Sequence, residues 1–144
     1  MAPVSALCIA VIAGDAVTVL PTAAVTLRWI HTVEGSGWQE DYVAEGRRLR
    51  LVEARITRIG AGMEPPAGAR RDGEVWRYSP DLPLLTRVDL ANSADAGGYD
   101  ICWDTECRAL NAIAPAGQRL SLTVEGCAAA EAERARNEDR MGLR

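Results

Sequence analysis

The stretch VTLRWIHTVEGSGWQEDYV, residues 25–43, decides the fold class. Val25, Leu27, Trp29, His31 and Val33 alternate with Thr26, Arg28, Ile30, Thr32 and Glu34. Only an extended strand turns a period of two into one apolar and one polar face. Gly35-Ser36-Gly37 breaks the run. Trp38, Glu40 and Tyr42 then share one face of a further strand, with Gln39, Asp41 and Val43 on the other. His31, the only histidine, falls in register with the apolar residues, and Glu40 falls in register with Trp38.

Strand signals continue on both sides. Residues 6–12 and 16–20 are rich in Val, Ile and Leu around Ala13-Gly14-Asp15, which predicts a hairpin ended by Pro21. Glu45-Gly46 marks the next turn, and residues 49–59 are again extended. The alternation slips near Leu51-Val52, as a β-bulge would make it do. Residues 60–73 hold four glycines and Pro65-Pro66 and predict no regular element. Further strands are expected over 75–78, 86–90, 99–103, 107–110 and 120–124. After Cys127 the chain turns to helix formers with almost no apolar stripe. The expectation is a single all-β domain over 1–126, a sandwich or partly closed barrel, with a helical or disordered tail over 127–144.

Composition narrows the partners. The 144 residues are 48% hydrophobic and 25% charged with a net charge of −4, so no basic footprint for nucleic acid is present. Every basic side chain is arginine. The longest apolar run, residues 4–14, is too short to cross a bilayer, so no transmembrane segment is expected. It also lacks a preceding positive charge, and reads as a first strand rather than an export signal.

Three features carry possible chemistry. In CWDTEC, residues 102–107, a four-residue hairpin loop would set Cys102 opposite Cys107 within disulfide reach. Free thiols and half of a metal site, completed by Cys8 and Cys127, are the alternatives, and whether Cys8 and Cys127 pair is left open. A disulfide would imply an oxidising compartment, which the poor export signal does not support, so a cytoplasmic location also stays open. His31 is either a core residue satisfying a polar gap, a ligand contact or an acid–base group. His31 and Glu34 lie on opposite faces of a strand, while Glu40 could join His31 from the neighbouring strand. Finally, GAGMEPP, residues 60–66, has glycines on either side of Ala61 and a stiff exit, suited to presenting Met63 and Glu64 outward. No nucleophile elbow, phosphate loop or zinc-helix motif accompanies these, so no catalytic residue, cofactor or metal is expected.

Together, LRWIHTVEGSGWQEDY, GAGMEPPAG and ICWDTEC resemble the bacterial family domain of unknown function 1850 over roughly residues 5–112. The matching positions are Trp29, His31, Thr32, Val33, Glu34, Trp38, Glu40, Gly60, Ala61, Gly62, Met63 and Glu64. Thr32 stands where the family usually has serine, and Gly35 where lysine is common. The resemblance implies a small extracytoplasmic (periplasmic) or membrane-adjacent protein of a kind often encoded beside TAXI-type TRAP carboxylate transporters. It also implies that the histidine segment and the Met-Glu loop meet at one rim or pocket. The expectation is a non-enzymatic accessory or binding module, its partner a TRAP subunit or solute-binding protein. Trp29, His31, Glu34, Trp38, Glu40, Met63 and Glu64 would line the binding surface. The alternatives are a small metal-dependent hydrolase using His31 with Glu34 and Glu40, and a purely structural role for the motifs.

Overall fold

In the computed structural model, residues 6–31, 36–57, 65–90, 98–113 and 118–128 are described. The strands run β1 (Leu7–Ala13), β2 (Ala16–Val19), β3 (Ala24–His31), β4 (Ser36–Glu45), β5 (Arg48–Thr57) and β6 (Arg70–Asp72). They continue as β7 (Val75–Tyr78), β8 (Val88–Leu90), β9 (Asp100–Trp103), β10 (Glu106–Ala109) and β11 (Leu120–Gly126). They form two sheets, a small one ordered β2-β1-β11-β8 and a large one ordered β10-β9-β3-β4-β5-β7-β6. Neighbouring strands in both sheets pair antiparallel. The sheets stay open at their edges, so the sandwich is the form adopted and the barrel is not.

The period-two pattern explains how the sheets face each other. Val25 and Leu27 of β3, Tyr42 of β4, Leu49 of β5 and Ile101 of β9 point inward from the large sheet. They meet Ile9, Val11, Leu120, Leu122 and Val124 of the small sheet, all buried. Each such aliphatic side chain contributes about 1.5–3 kcal/mol by leaving water. The alternate positions of β3 and β4, Arg28 and Asp41 among them, face away from this core.

Two local devices set the register. Between β4 and β5 the pairing passes from Asp41↔Glu53 to Tyr42↔Leu51, leaving Val52 as the bulged residue, where the sequence slips. In the β9–β10 hairpin Asp104 and Thr105 both have positive φ, at 51° and 65°. That is the signature of a two-residue type I′ turn, which matches the twist of paired strands. The loop is therefore shorter than the four residues expected, because Trp103 pairs with Glu106 inside the ladder. Cys102 still lands opposite Cys107, with Cα atoms 4.0 Å apart and a disulfide joining them.

The second disulfide was not legible from spacing. Cys8 on β1 is bonded to Cys127, just past β11, across a separation of 119 residues. With no free cysteine, the free-thiol and thiolate-metal alternatives fall away. Some boundaries also move. Arg70–Asp72 forms a short strand within the stretch expected to be irregular, because Gly73 at φ 64° lets it fold back on β7. β8 starts at Val88 rather than two residues earlier. Leu110 leaves β10 for a 3₁₀ turn over Leu110–Ala112 that buries its side chain. The expected tail beyond residue 128 lies outside the described residues.

Candidate functional site

Where the small sheet's core ends, the inner face of the large sheet continues as aromatic rows. In one row Trp29 stands opposite Trp38, Trp38 opposite Ile56, and Ile56 opposite Trp76. The Trp29 and Trp38 rings stack at 6.0 Å between centroids, and Tyr99 tilts against Trp29 at 5.1 Å. In the adjoining row Glu40 stands opposite Leu27 on one side and Ala54 on the other, with Tyr78 opposite Ala54. The alternation of β4 places Glu40 between Trp38 and Tyr42, while farther along the same face Arg71 stands opposite Trp76 and Arg108 opposite Ile101.

The electrostatics follow from that placement. Burial pushes the Glu40 carboxyl above the usual carboxylate range, and the hydrogen bond that Tyr42 Oη donates to Glu40 Oε2 at 3.2 Å offsets this only in part. Burial, then the Glu40 charge, push the Tyr42 phenol far above its ordinary value. Tyr78 and Tyr99 are raised by the same two causes in the same order. All three tyrosines of the chain therefore feel the charge of Glu40. Among the described residues no arginine forms an ion pair with it.

The other face of the same strands is built differently. Asp41 accepts hydrogen bonds from Thr26 Oγ1 at 2.6 Å and from both terminal nitrogens of Arg55 at 2.6 and 2.8 Å. Arg55 also donates to Gln39 and Glu53, and Arg77 donates to Glu53. Arg28 pairs with Asp100 at 2.9 Å. Burial alone would raise Asp41, but the hydrogen bonds from Arg55 and Thr26 and the charges of Arg55 and Arg77 outweigh it and lower its pKa. Two depressions lie along these strands. One, of about 490 Å³, is lined by Thr26, Asp41, Val52, Cys102 and Asp104 among others. The other, of about 460 Å³, is lined by Arg28, Trp29, Ile30, Trp38 and Asp100 among others. Glu40 lines neither of these two depressions.

Of the residues expected to line a site, Trp29, Trp38 and Glu40 come together. The backbone of His31 closes β3 opposite Ser36, four residues beyond Leu27, the partner of Glu40. At roughly 3.3 Å per residue that is about 13 Å along the strand, so Glu40 does not sit beside His31. Glu34, Met63 and Glu64, and the expected meeting of their two segments, lie outside the described residues. Among the described residues no three of His, Cys, Asp and Glu gather to hold a metal ion. Sequence reasoning missed Tyr42, Tyr78 and Tyr99 as members of the site. Tyr42 was within reach, two residues from Glu40 on the same face. Tyr78 and Tyr99 enter through strand order, which no local pattern encodes.

Fold and site together define a disulfide-braced antiparallel sandwich carrying an aromatic face centred on one carboxylate. The chain belongs to the family Domain of unknown function (DUF1850), whose model matches residues 25–110. The match runs from β3 to the end of β10 and so takes in every strand of the large sheet. No curated protein and no solved structure matches the chain.

Proposed function

We propose that the protein is a non-enzymatic binding module that works beside a TRAP-type (TAXI) carboxylate transport system, with the Trp29–Trp38–Glu40 face as its binding surface. One observation supports the binding surface most. Glu40 is a half-buried carboxylate with no arginine partner among the described residues, in a sheet whose other face neutralises its carboxylates with arginine. Leaving a charge in that condition costs stability, and such costs concentrate at sites that bind or react. The transport association rests on the family resemblance. A periplasmic setting is part of the proposal, and the two disulfides are compatible with an extracytoplasmic location.

The test is uptake of labelled carboxylate, and co-purification with the transporter's solute-binding protein, in the native host. Trp38→Ala and Glu40→Gln should each depress both readouts while the protein stays folded, and Arg50→Ala, at an exposed ion pair with Glu45, should leave them unchanged. Inner-face variants that are folded and indistinguishable from wild type in both readouts would remove the proposal.

A further inference from the structure

We infer that the Glu40 face takes a small organic cation, an ammonium-bearing molecule whose charged head lies against the Trp29 and Trp38 rings beside the Glu40 carboxylate. This deepens the reading of that face as a binding surface and rests on it.

The argument is one of charge, then of size. Aromatic ring faces carry negative charge density, so they attract cations and disfavour anions. Trp29 and Trp38 stack, Tyr99 leans on Trp29, the buried Tyr42 donates to Glu40, and Tyr78 lies in the Glu40 row across Ala54. An anion placed there meets both the rings and a carboxylate of its own sign. A neutral apolar molecule strips more water from Glu40 and gives nothing back. A cation alone is favoured by the rings and the carboxylate together, and it supplies the counter-charge that Asp41, one residue along, receives from Arg55. The two rows lie about 7 Å apart along the strands and span four strands, about 15 Å across. That patch is far below the roughly 800 Å² per partner of a stable protein interface, and it fits the head of a small molecule.

Choline, 3,3-dimethylbutan-1-ol and 3,3-dimethylbutanoate present nearly the same apolar shape with positive, neutral and negative charge. Each is titrated into the full, disulfide-intact chain while NMR follows the indole N–H groups of Trp29 and Trp38. Choline should bind saturably and at least tenfold tighter than either of the others, and Glu40→Gln should remove at least tenfold of its affinity while leaving the alcohol unchanged. The comparison of the three probes on wild-type protein needs no variant and stands even where Glu40→Gln does not fold. The inference is overturned by the alcohol or the carboxylate binding as tightly as choline, or by choline affinity that survives Glu40→Gln. In that case, if Trp38→Ala abolishes the observed binding, the face remains a binding surface and only the charge of its occupant was wrong. No saturable response to any probe overturns the cation inference, and the uptake and co-purification test above then decides the surface separately.

Discussion

Glu40 and Asp41 are neighbours in one strand, yet they live in opposite chemistry. Asp41 points outward, where Thr26 and Arg55 hold it ionised below its ordinary pKa. Glu40 points inward, where burial among aromatic rings pushes it the other way and, among the described residues, a phenol hydrogen-bonds it. The pleat alone causes the separation, because it sends successive side chains to opposite faces. What differs is the company each face keeps. The outer face spends its arginines closing a network from Gln39 through Asp41 and Arg55 to Glu53 and Arg77, the mark of a surface finished in itself. On the inner face Glu40 has no arginine partner among the described residues, the mark of a surface awaiting an occupant.

The largest effect should fall on both faces at once, because they share a frame. Closing a loop of about 120 residues, the Cys8–Cys127 bond is worth about 5 kcal/mol in the chain-entropy picture. Urea unfolding of the Cys8→Ala/Cys127→Ala variant should show a loss of that order, whereas Cys102→Ala/Cys107→Ala, which opens a loop of only six residues, should lose about 2 kcal/mol. Equal losses would show that loop closure does not set the ranking. Next comes the outer network. Arg55→Ala leaves Asp41 with Thr26 and Glu53 with Arg77 as remaining partners and should cost about 1–3 kcal/mol by the same measurement.

Smaller effects separate the two neighbours by sign. Asp41→Asn should cost about 1–2 kcal/mol at neutral pH. Because the folded pKa of Asp41 is lowered, its contribution is present above the ordinary carboxylate value and is lost as pH falls through the folded one. The cost of the variant should therefore shrink in acid. Glu40 runs the other way. Its folded pKa is raised, so the native state is favoured by the protonated form, fully below the ordinary value, and that advantage is lost as pH rises through the folded pKa. Glu40→Gln should then be neutral in acid and stabilising at pH 7 by less than about 1 kcal/mol, the solvent that still reaches Glu40 keeping the gain small. Thermal unfolding from pH 3 to 8 reads both variants, and a destabilised Glu40→Gln at pH 7 would erase the contrast. Among the described residues the titratable groups that feel the Glu40 charge are Tyr42, Tyr78 and Tyr99, whose phenols stay protonated throughout this range.

Much of this architecture was readable along the chain, because it is local. Alternation over Val25–Ile30 and Trp38–Val43 marked the two central strands and sorted these residues to their faces, and the slip at Leu51-Val52 marked the bulge. Cys102 and Cys107 could be paired because five residues and one turn bring them together. The Cys8–Cys127 bond could not, since it depends on β1 lying beside β11 at the far end of the sequence. The same limit applies to the site. Trp29, Trp38 and Glu40 stand on adjacent strands joined by one short connection and were grouped from sequence. Tyr78 and Tyr99 reach Glu40 only because β7 and β9 take their places in the large sheet. The separation of Glu40 from His31 is a matter of register, which face-sorting does not reveal.

The most direct measurement is a site-resolved titration of the Glu40 and Asp41 side-chain carboxyls by carbon-detected NMR on the oxidised protein. The account predicts that Glu40 titrates above 4.5 and Asp41 below 3.8, the ordinary values for the two side chains. Glu40 titrating at or below its ordinary value would mean that its charge already has a partner within the fold, and the inner face would then be as finished as the outer one.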